Sequence, residues 1–160
     1  MRLLGRTVVG GVLLLVLGPL SVHGQALLLE GGPPQLQIDR FVPGEPTATA
    51  TDASATLVYT RAPGGEGLPL KVSVSTSAPG QQFALRVAAQ DPTHGTPTGA
   101  VPLRDGMAPA DLLRDVAPCA PAEAEAACEE ETTLRYRLRA AVEDGAGTDR
   151  HVVRFTLLAQ

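Results

Sequence analysis

The stretch Thr133-Leu134-Arg135-Tyr136-Arg137-Leu138-Arg139-Ala140-Ala141-Val142 alternates apolar and polar residues more regularly than any other part of this 160-residue sequence. A period of two is typical of a β-strand that buries one face and exposes the other. The buried face is expected to comprise Leu134, Tyr136, Leu138, Ala140 and Val142. The exposed face is expected to carry Arg135, Arg137 and Arg139, about 7 Å apart because a strand rises ~3.4 Å per residue.

Shorter segments with the same alternation surround this stretch, and turns rich in Gly and Pro separate them. The segments cover residues 36–39, 47–51, 56–61, 70–75, 83–88, 100–104 and 153–157. Their inner faces are expected to carry Leu57, Tyr59, Leu70, Val72, Val74, Phe83, Leu85, Val87, Val153, Phe155 and Leu157. We expect residues 144–147 to form a hairpin loop that leads into the last strand.

One short helix is expected from Pro109 onward. Proline is favoured at a helix start, Asp111 suits the first turn, and Leu112 and Val116 would share a face one turn apart. With so few helical signals, a nucleotide-binding α/β fold is disfavoured. The pattern predicts an all-β chain, specifically an antiparallel, immunoglobulin-like β-sandwich with one short helix.

The first residues have the pattern of a secretory signal peptide. Arg2 and Arg6 precede an apolar run of 13 residues at positions 8–20, and the small residues Val22 and Gly24 follow it. A membrane-spanning helix needs ~20 apolar residues, so we expect cleavage before Gln25 and no membrane span afterwards. The expected parts are a signal peptide at 1–24, an extended N-terminal segment at 25–46 and a sandwich domain at 47–160. The protein is therefore expected in the periplasm, at the cell surface or outside the cell.

Charge and composition narrow the function further. The net charge is −4, and cleavage would remove two arginines and leave 11 basic and 17 acidic residues, a charge of −6. An acidic chain is a poor binder of nucleic acid, so no nucleic-acid partner is expected. The absence of Asn beside 12 Arg and 23 Ala is typical of a bacterial genome rich in G and C.

Two cysteines, Cys119 and Cys128, enclose eight residues. In an exported chain such a pair is expected to form an intramolecular disulfide. A redox or metal pair is the alternative, but the spacing is not CxxC and no His lies nearby. The disulfide would fix one long loop rather than hold the whole fold together.

Several segments together resemble a known group of proteins. They are Ser54-Ala55-Thr56-Leu57-Val58-Tyr59-Thr60, residues 70–75, Asp111-Leu112-Leu113, Leu134-Arg135-Tyr136-Arg137-Leu138 and Val153-Arg154-Phe155-Thr156-Leu157. This pattern is similar to that of small secreted bacterial β-sandwich proteins of the fimbrial-subunit and spore coat protein U kind. The resemblance implies a surface or filament component without catalysis, and it assigns a role to no individual residue.

The sequence contains no recognisable catalytic motif. Neither a Gly-x-Ser-x-Gly turn nor a His-Glu-x-x-His pair is present. His94 and His151, the two histidines beyond the predicted signal peptide, are expected to be exposed and without a special role. We therefore expect no enzymatic activity and no cofactor.

Two charged groups are candidate contact sites. The acidic group Glu123, Glu125, Glu129, Glu130 and Glu131 offers oxygen ligands to calcium but lacks the spacing of a calcium loop, and a solvated charge run is the commoner meaning. The arginines of the central stretch, which Arg154 on a neighbouring strand would extend, are expected either to be solvated and paired with acids or to dock an anionic polymer or another subunit.

The sequence therefore predicts an exported, non-catalytic β-sandwich that acts by protein–protein contact, with self-association as one form of it. It would be a component of the cell envelope, the cell surface, a filament or an adhesion structure. A module that binds glycans or small ligands is the alternative. Such modules stack sugars on exposed aromatic rings, whereas this chain has two Tyr, three Phe and no Trp, mostly on predicted inner faces.

Overall fold

The computed structural model describes residues 26–61, 68–119 and 128–160, which form two antiparallel β-sheets packed face to face. The predicted antiparallel β-sandwich is confirmed. One sheet has five strands in the order β1 (Leu27–Glu30), β2 (Thr47–Arg61), β8 (Cys128–Ala141), β4 (Ala84–Gln90) and β6 (Val101–Leu103). The other has four, in the order β5 (Thr96–Pro97), β7 (Ala110–Val116), β3 (Leu70–Ser77) and β9 (Val152–Ala159). The predicted signal peptide lies outside the described residues.

Strand β8 is the central strand of the larger sheet, with β2 on one side and β4 on the other. Its even-numbered residues from Glu130 to Ala140 are buried, and the odd-numbered arginines are exposed. The predicted inward row is confirmed for Leu134, Tyr136, Leu138 and Ala140. Val142 is an error of that prediction, because the strand ends at Ala141 and Val142 begins a 3-10 turn in which its side chain is 56% exposed.

The inner faces of the two sheets enclose one apolar core, as the alternation predicted. Strand β2 contributes Leu57 and Tyr59, and β3 contributes Val72 and Val74, all of them fully buried. The remaining predicted inner residues are also buried or nearly so, namely Leu70, Phe83, Leu85, Val87, Val153, Phe155 and Leu157. The residues that were predicted to face inward therefore pack together between the two sheets.

Strands from β2 onward alternate between the two sheets, so each one is followed by a strand of the opposite sheet. The predicted hairpin between β8 and β9 is therefore wrong, because the connection crosses from one sheet to the other. Asp149 holds this crossover in place. Its buried carboxylate accepts hydrogen bonds from the backbone N–H groups of Gln82 at 3.0 Å and Phe83 at 2.6 Å, next to the start of β4.

The short helix predicted from Pro109 is also wrong, because residues 110–116 form strand β7. The helical spacing of Leu112 and Val116 has another cause. The pairing of β7 with β3 shifts register twice, and Asp115 has a positive φ of 55°. These irregularities bring Leu112, Leu113 and Val116 into the core without a helix.

The N-terminal segment joins the larger sheet through β1, whose residue Leu29 lies opposite Leu57. Gly31 follows at a φ of 89°, and a Cβ at this position would lie 2.6 Å from the Ser54 carbonyl oxygen, so the turn requires glycine. The strand predicted at residues 36–39 does not form, although Leu36 is buried and Ile38 packs against the core. Side-chain packing rather than strand pairing holds this part of the segment.

The predicted disulfide between Cys119 and Cys128 is confirmed, with a Cα–Cα distance of 6.1 Å. Cys119 follows β7 in the smaller sheet, and Cys128 is the first residue of β8 in the larger one. The disulfide therefore links the two sheets at one end of the sandwich.

Two buried tyrosines differ in how their hydroxyl groups are satisfied. The Tyr59 hydroxyl donates a hydrogen bond to the His94 carbonyl oxygen at 2.7 Å. Burial, together with the nearby Glu130 carboxylate, raises the pKa of Tyr59 to about 12. The Tyr136 hydroxyl has no hydrogen-bond partner in the described part of the chain, and burial raises the pKa of this group above its usual range.

This difference predicts opposite responses to removal of the hydroxyl group. Tyr59→Phe should lower the free energy of unfolding by about 1 kcal/mol, because it removes a part-buried hydrogen bond to the His94 carbonyl oxygen. Tyr136→Phe should leave stability unchanged or raise it, because it removes an unsatisfied polar group. Urea denaturation of both variants measures the difference, and an equal loss in the two would contradict this account.

Candidate functional site

The outer face of the five-stranded sheet carries four exposed arginines, which we call the arginine face: Arg86, Arg135, Arg137 and Arg139. Three of them alternate along β8 as the sequence predicted. Arg86 comes from the neighbouring strand β4 and was not predicted. The alternation of β4 shows that Arg86 points outward, but it does not show which strand lies beside it.

The register of β4 against β8 places Arg86 directly opposite Arg137. Like charges in directly opposed positions destabilise an antiparallel pair. Their neighbours on β4 are small, since Ala84 lies opposite Arg139 and Ala88 opposite Arg135. The arginines are therefore crowded at the centre of the face and flanked by side chains that do not cover them.

No carboxylate of the described chain compensates the arginine face, since none of its four members takes part in an ion pair there. On the β2 side, Thr49 and Thr51 lie opposite Arg139 and Arg137. Asp52, which lies opposite the inward-facing Tyr136, accepts hydrogen bonds from the backbone N–H and the hydroxyl of Ser54, at 3.0 and 2.7 Å. The ion pairs that were predicted between these arginines and neighbouring acids are therefore not formed among the described residues.

Arg154 does not belong to this surface, contrary to the prediction. It lies on β9 in the four-stranded sheet, opposite Ser75 of β3, and its exposed side chain is on the other side of the sandwich. The error follows from the hairpin predicted between β8 and β9. The strand that actually neighbours β8 is β4, so Arg86 takes the place assigned to Arg154.

The same outer face becomes acidic toward the start of β8. Glu129 and Glu131 are exposed and occupy odd-numbered positions of the strand, like the arginines. Thr133 separates the two groups, and the Cα atoms of Glu131 and Arg135 are roughly 14 Å apart along the strand. Neither of these glutamates takes part in an ion pair among the described residues. One strand therefore presents an acidic and a basic half on a single face.

Glu130 points the opposite way, into a buried polar cluster at the disulfide end. Its carboxylate lies 3.0 Å from Arg61 Nη2 and 2.8 Å from His94 Nδ1. Arg61 also donates hydrogen bonds to the carbonyl oxygens of Ala117 and Pro118, at 3.4 and 3.3 Å. The cluster connects β2 and β8 with the segment that leads to the disulfide, so its geometry is that of a structural anchor.

This cluster also bears on the predicted calcium group. Glu130 is buried, and its Oε1 atom is already paired with Arg61. Glu123 and Glu125 lie outside the described residues. Within the described ranges, no three side chains of His, Cys, Asp or Glu come together as a metal site would require. Calcium binding by this group therefore stays a prediction.

Both histidines were predicted to be exposed. His94 is half exposed and contacts Glu130 of the buried cluster, whereas the prediction is wrong for His151. His151 is only 5% exposed, because it shares the inward phase of Val153 and Phe155 on the following strand. Neither of its ring nitrogens has a hydrogen-bond partner in the described chain. Burial lowers the pKa of His151, and the carboxylates of Asp149 and Asp105 only partly oppose that effect.

Burial of a neutral histidine makes stability depend on pH. The unfolded chain binds a proton near pH ~6.5 while folded His151 stays neutral, so its contribution is complete above that pH and is lost as the pH falls toward the folded pKa. His151→Leu should therefore lose less stability than the wild type between about pH 7.5 and about pH 5.5. Thermal unfolding measures this, with Arg150→Gln, an exposed neighbour, as the control that should keep the wild-type slope.

Charge repulsion on the arginine face predicts a gain in stability when one arginine is removed. Arg86→Thr should raise the midpoint of thermal unfolding at low ionic strength, because it relieves the repulsion from Arg137. The gain should shrink at high salt, which screens exposed charges. Arg154→Thr on the other sheet is the matched control. If both variants behave alike at low salt, crowding of the arginines is not the cause.

The cavity and the aromatic rings seen in the described part of the chain offer little to a glycan. A cavity of about 60 Å³ is lined mainly by apolar residues, among them Ile38, Phe41 and Phe83. Sites for small molecules usually measure about 300–1,000 Å³. All five aromatic residues of the chain lie within the described ranges, and each ring is buried or half-buried against the core. Four of the five rings are therefore closed to a sugar, and Phe41 is half-buried where it lines the cavity.

Comparisons with protein-family models, curated proteins and solved structures found no match for this chain. Among the described residues, no helix has the length and apolar character needed to cross a bilayer. The observations on the molecule itself define its class as a disulfide-linked β-sandwich with one sheet face divided between acidic and basic residues.

Proposed function

We propose that this chain is an exported, non-catalytic β-sandwich that acts by protein–protein contact, with the arginine face as its contact surface. The observation that carries the proposal is the direct opposition of Arg86 and Arg137 with no carboxylate paired to either in the described chain. Partner carboxylates would remove the repulsion and form charge-assisted hydrogen bonds with the guanidinium groups.

The charge of the whole molecule favours a protein partner over a nucleic acid. The chain has a net charge of −4, so an extended polyanion that follows the arginine face would also meet an acidic surrounding. A folded partner with a local acidic patch avoids this, because its charge is confined to the area of contact. The contact surface is therefore expected to select a patch of carboxylates on another protein.

Export and envelope location are part of the same proposal. The pattern of Arg2, Arg6 and the apolar run supports a cleaved signal peptide. The Cys119–Cys128 disulfide supports an oxidising compartment, where such bonds persist. The resemblance to fimbrial-subunit and spore coat protein U proteins supports a surface, filament or adhesion component. Binding of a glycan or a small ligand has less support, because the aromatic rings face the core.

Photocrosslinking in the cells that produce the chain tests this function. A photoreactive amino acid at Thr51, beside Arg137, should give covalent adducts with protein, whereas the same group at Thr156 on the outer face of the other sheet should give few. Both sites are exposed threonines, so they differ chiefly in the surface they probe. The adducts should contain a chain that begins near Gln25 and should come from the envelope or the medium.

Charge reversal provides the specificity control for that experiment. Replacing Arg86 and Arg137 with Glu should abolish the Thr51 adducts and leave those from Thr156 unchanged. Equal adducts from the two threonines, or Thr51 adducts that survive the reversal, would overturn the assignment of the contact surface. Recovery of only the full 160-residue chain from the cytoplasm would overturn export.

A further inference from the structure

We propose that the partner of the arginine face is a second copy of this chain, packed face to face with β8 of the two copies antiparallel. This inference rests on the proposed function, since it names the partner for the same surface. It is carried by the order of charges along the outer face of β8, which is acidic before Thr133 and basic after it.

Four charges of β8 are symmetric about Thr133, whereas Arg139 and Arg86 have no acidic counterpart on the described part of this face. Glu131 lies two residues before it and Arg135 two residues after it, while Glu129 and Arg137 lie four residues away on either side. All these side chains share one face because β8 is regular, and the irregularity in this part of the sheet, between residues 52 and 55, belongs to β2. Reversing the strand about Thr133 therefore exchanges acidic positions for basic ones.

A two-fold axis that lies in the interface and crosses β8 at Thr133 performs this reversal. It places Arg135 against Glu131 of the second copy and Arg137 against Glu129 of the second copy. Each contact occurs twice, because in a two-fold interface residue i meets j and j meets i. An axis parallel to β8 would instead oppose arginine to arginine, so the charges select the antiparallel arrangement.

The remainder of the face permits this approach. Apart from Arg86, which lies opposite Arg137, the residues beside the arginines of β8 are short, with Thr49 and Thr51 on β2 and Ala84 and Ala88 on β4. Packed sheets lie ≈10 Å apart, a distance that facing Arg and Glu side chains can span. Strands β2 and β8 run along the whole contact, whereas β4 pairs only with residues 133–139 of β8. The contact therefore offers roughly 300 Å² per copy, below the ≈800 Å² of a standard interface, and we expect a weak, salt-sensitive dimer.

Two charge-reversal variants test the arrangement. Glu129→Arg with Glu131→Arg makes the face wholly basic, and Arg135→Glu with Arg137→Glu makes it largely acidic. Analytical ultracentrifugation at low salt should show a dimer for the wild-type chain and a dissociation constant raised about tenfold or more for each variant alone. An equal mixture of the two variants should restore the dimer, because every facing pair is then of opposite sign.

The chain with all four reversals should also dimerise, because the symmetry about Thr133 is preserved. Arg154→Glu, on the opposite sheet, should dimerise like the wild type. Failure of the mixture or of the fourfold variant to associate, with circular dichroism showing that they are folded, overturns the arrangement. If the variants do not fold, the oligomeric state of the wild-type chain is the test. A monomer at every concentration overturns the proposal, and a dimer that dissociates when salt is added supports it.

The Thr51 photocrosslink separates this inference from the proposed function. Adducts that join two copies of the chain support both. Adducts with a different protein from a monomeric wild-type chain overturn the second copy as partner and leave the contact function standing. A monomeric chain without Thr51 adducts overturns both.

Discussion

The structure depends on the unbroken alternation of β8. This strand is central in the larger sheet, so the positions of both β2 and β4 are set by their register against it. Its inner row supplies Tyr136 and its aliphatic neighbours to the core, and its outer row supplies the charges of the candidate site. A slip of one residue would bury the arginines and expose the apolar row, so the packing of the core also fixes the chemistry of the surface.

Polar contacts at the two ends of the sandwich hold together strands that no hairpin turn connects. At one end, Asp149 binds the backbone beside β4. At the other, the Cys119–Cys128 disulfide links the two sheets, and the Arg61–Glu130 ion pair joins β2 to β8 within the larger sheet. Buried charges are costly unless they are paired, and the close contacts in the cluster meet that requirement. These anchors hold strands that have no local connection to their neighbours.

The sequence predicted what depends on local periodicity. Alternation was sufficient to place the inner residues of β2, β3, β4, β8 and β9. The presence of just two cysteines in the sequence, with export expected, was sufficient to predict their pairing. The prediction from periodicity failed at β7. There, register shifts and the positive φ of Asp115 bury apolar residues at a spacing that is typical of a helix. It failed again for Arg154 and Arg86, because the side a residue faces is a local property whereas the identity of the neighbouring strand is not. His151 was missed although its phase matched that of Val153.

The alternation of successive strands between the sheets has a consequence for biosynthesis. Strand β2 is made early, yet in the larger sheet β8 must arrive before β2 and β4 can be joined. Strand β3 can pair with β7 on one side, but its other side waits for β9, the last strand of the described chain. Pairings so distant in sequence form slowly, because the intervening loop must close first. Strand β1 can pair with β2, and β4 with β6, soon after they are made, but neither sheet is complete until β8 and β9 have been synthesised.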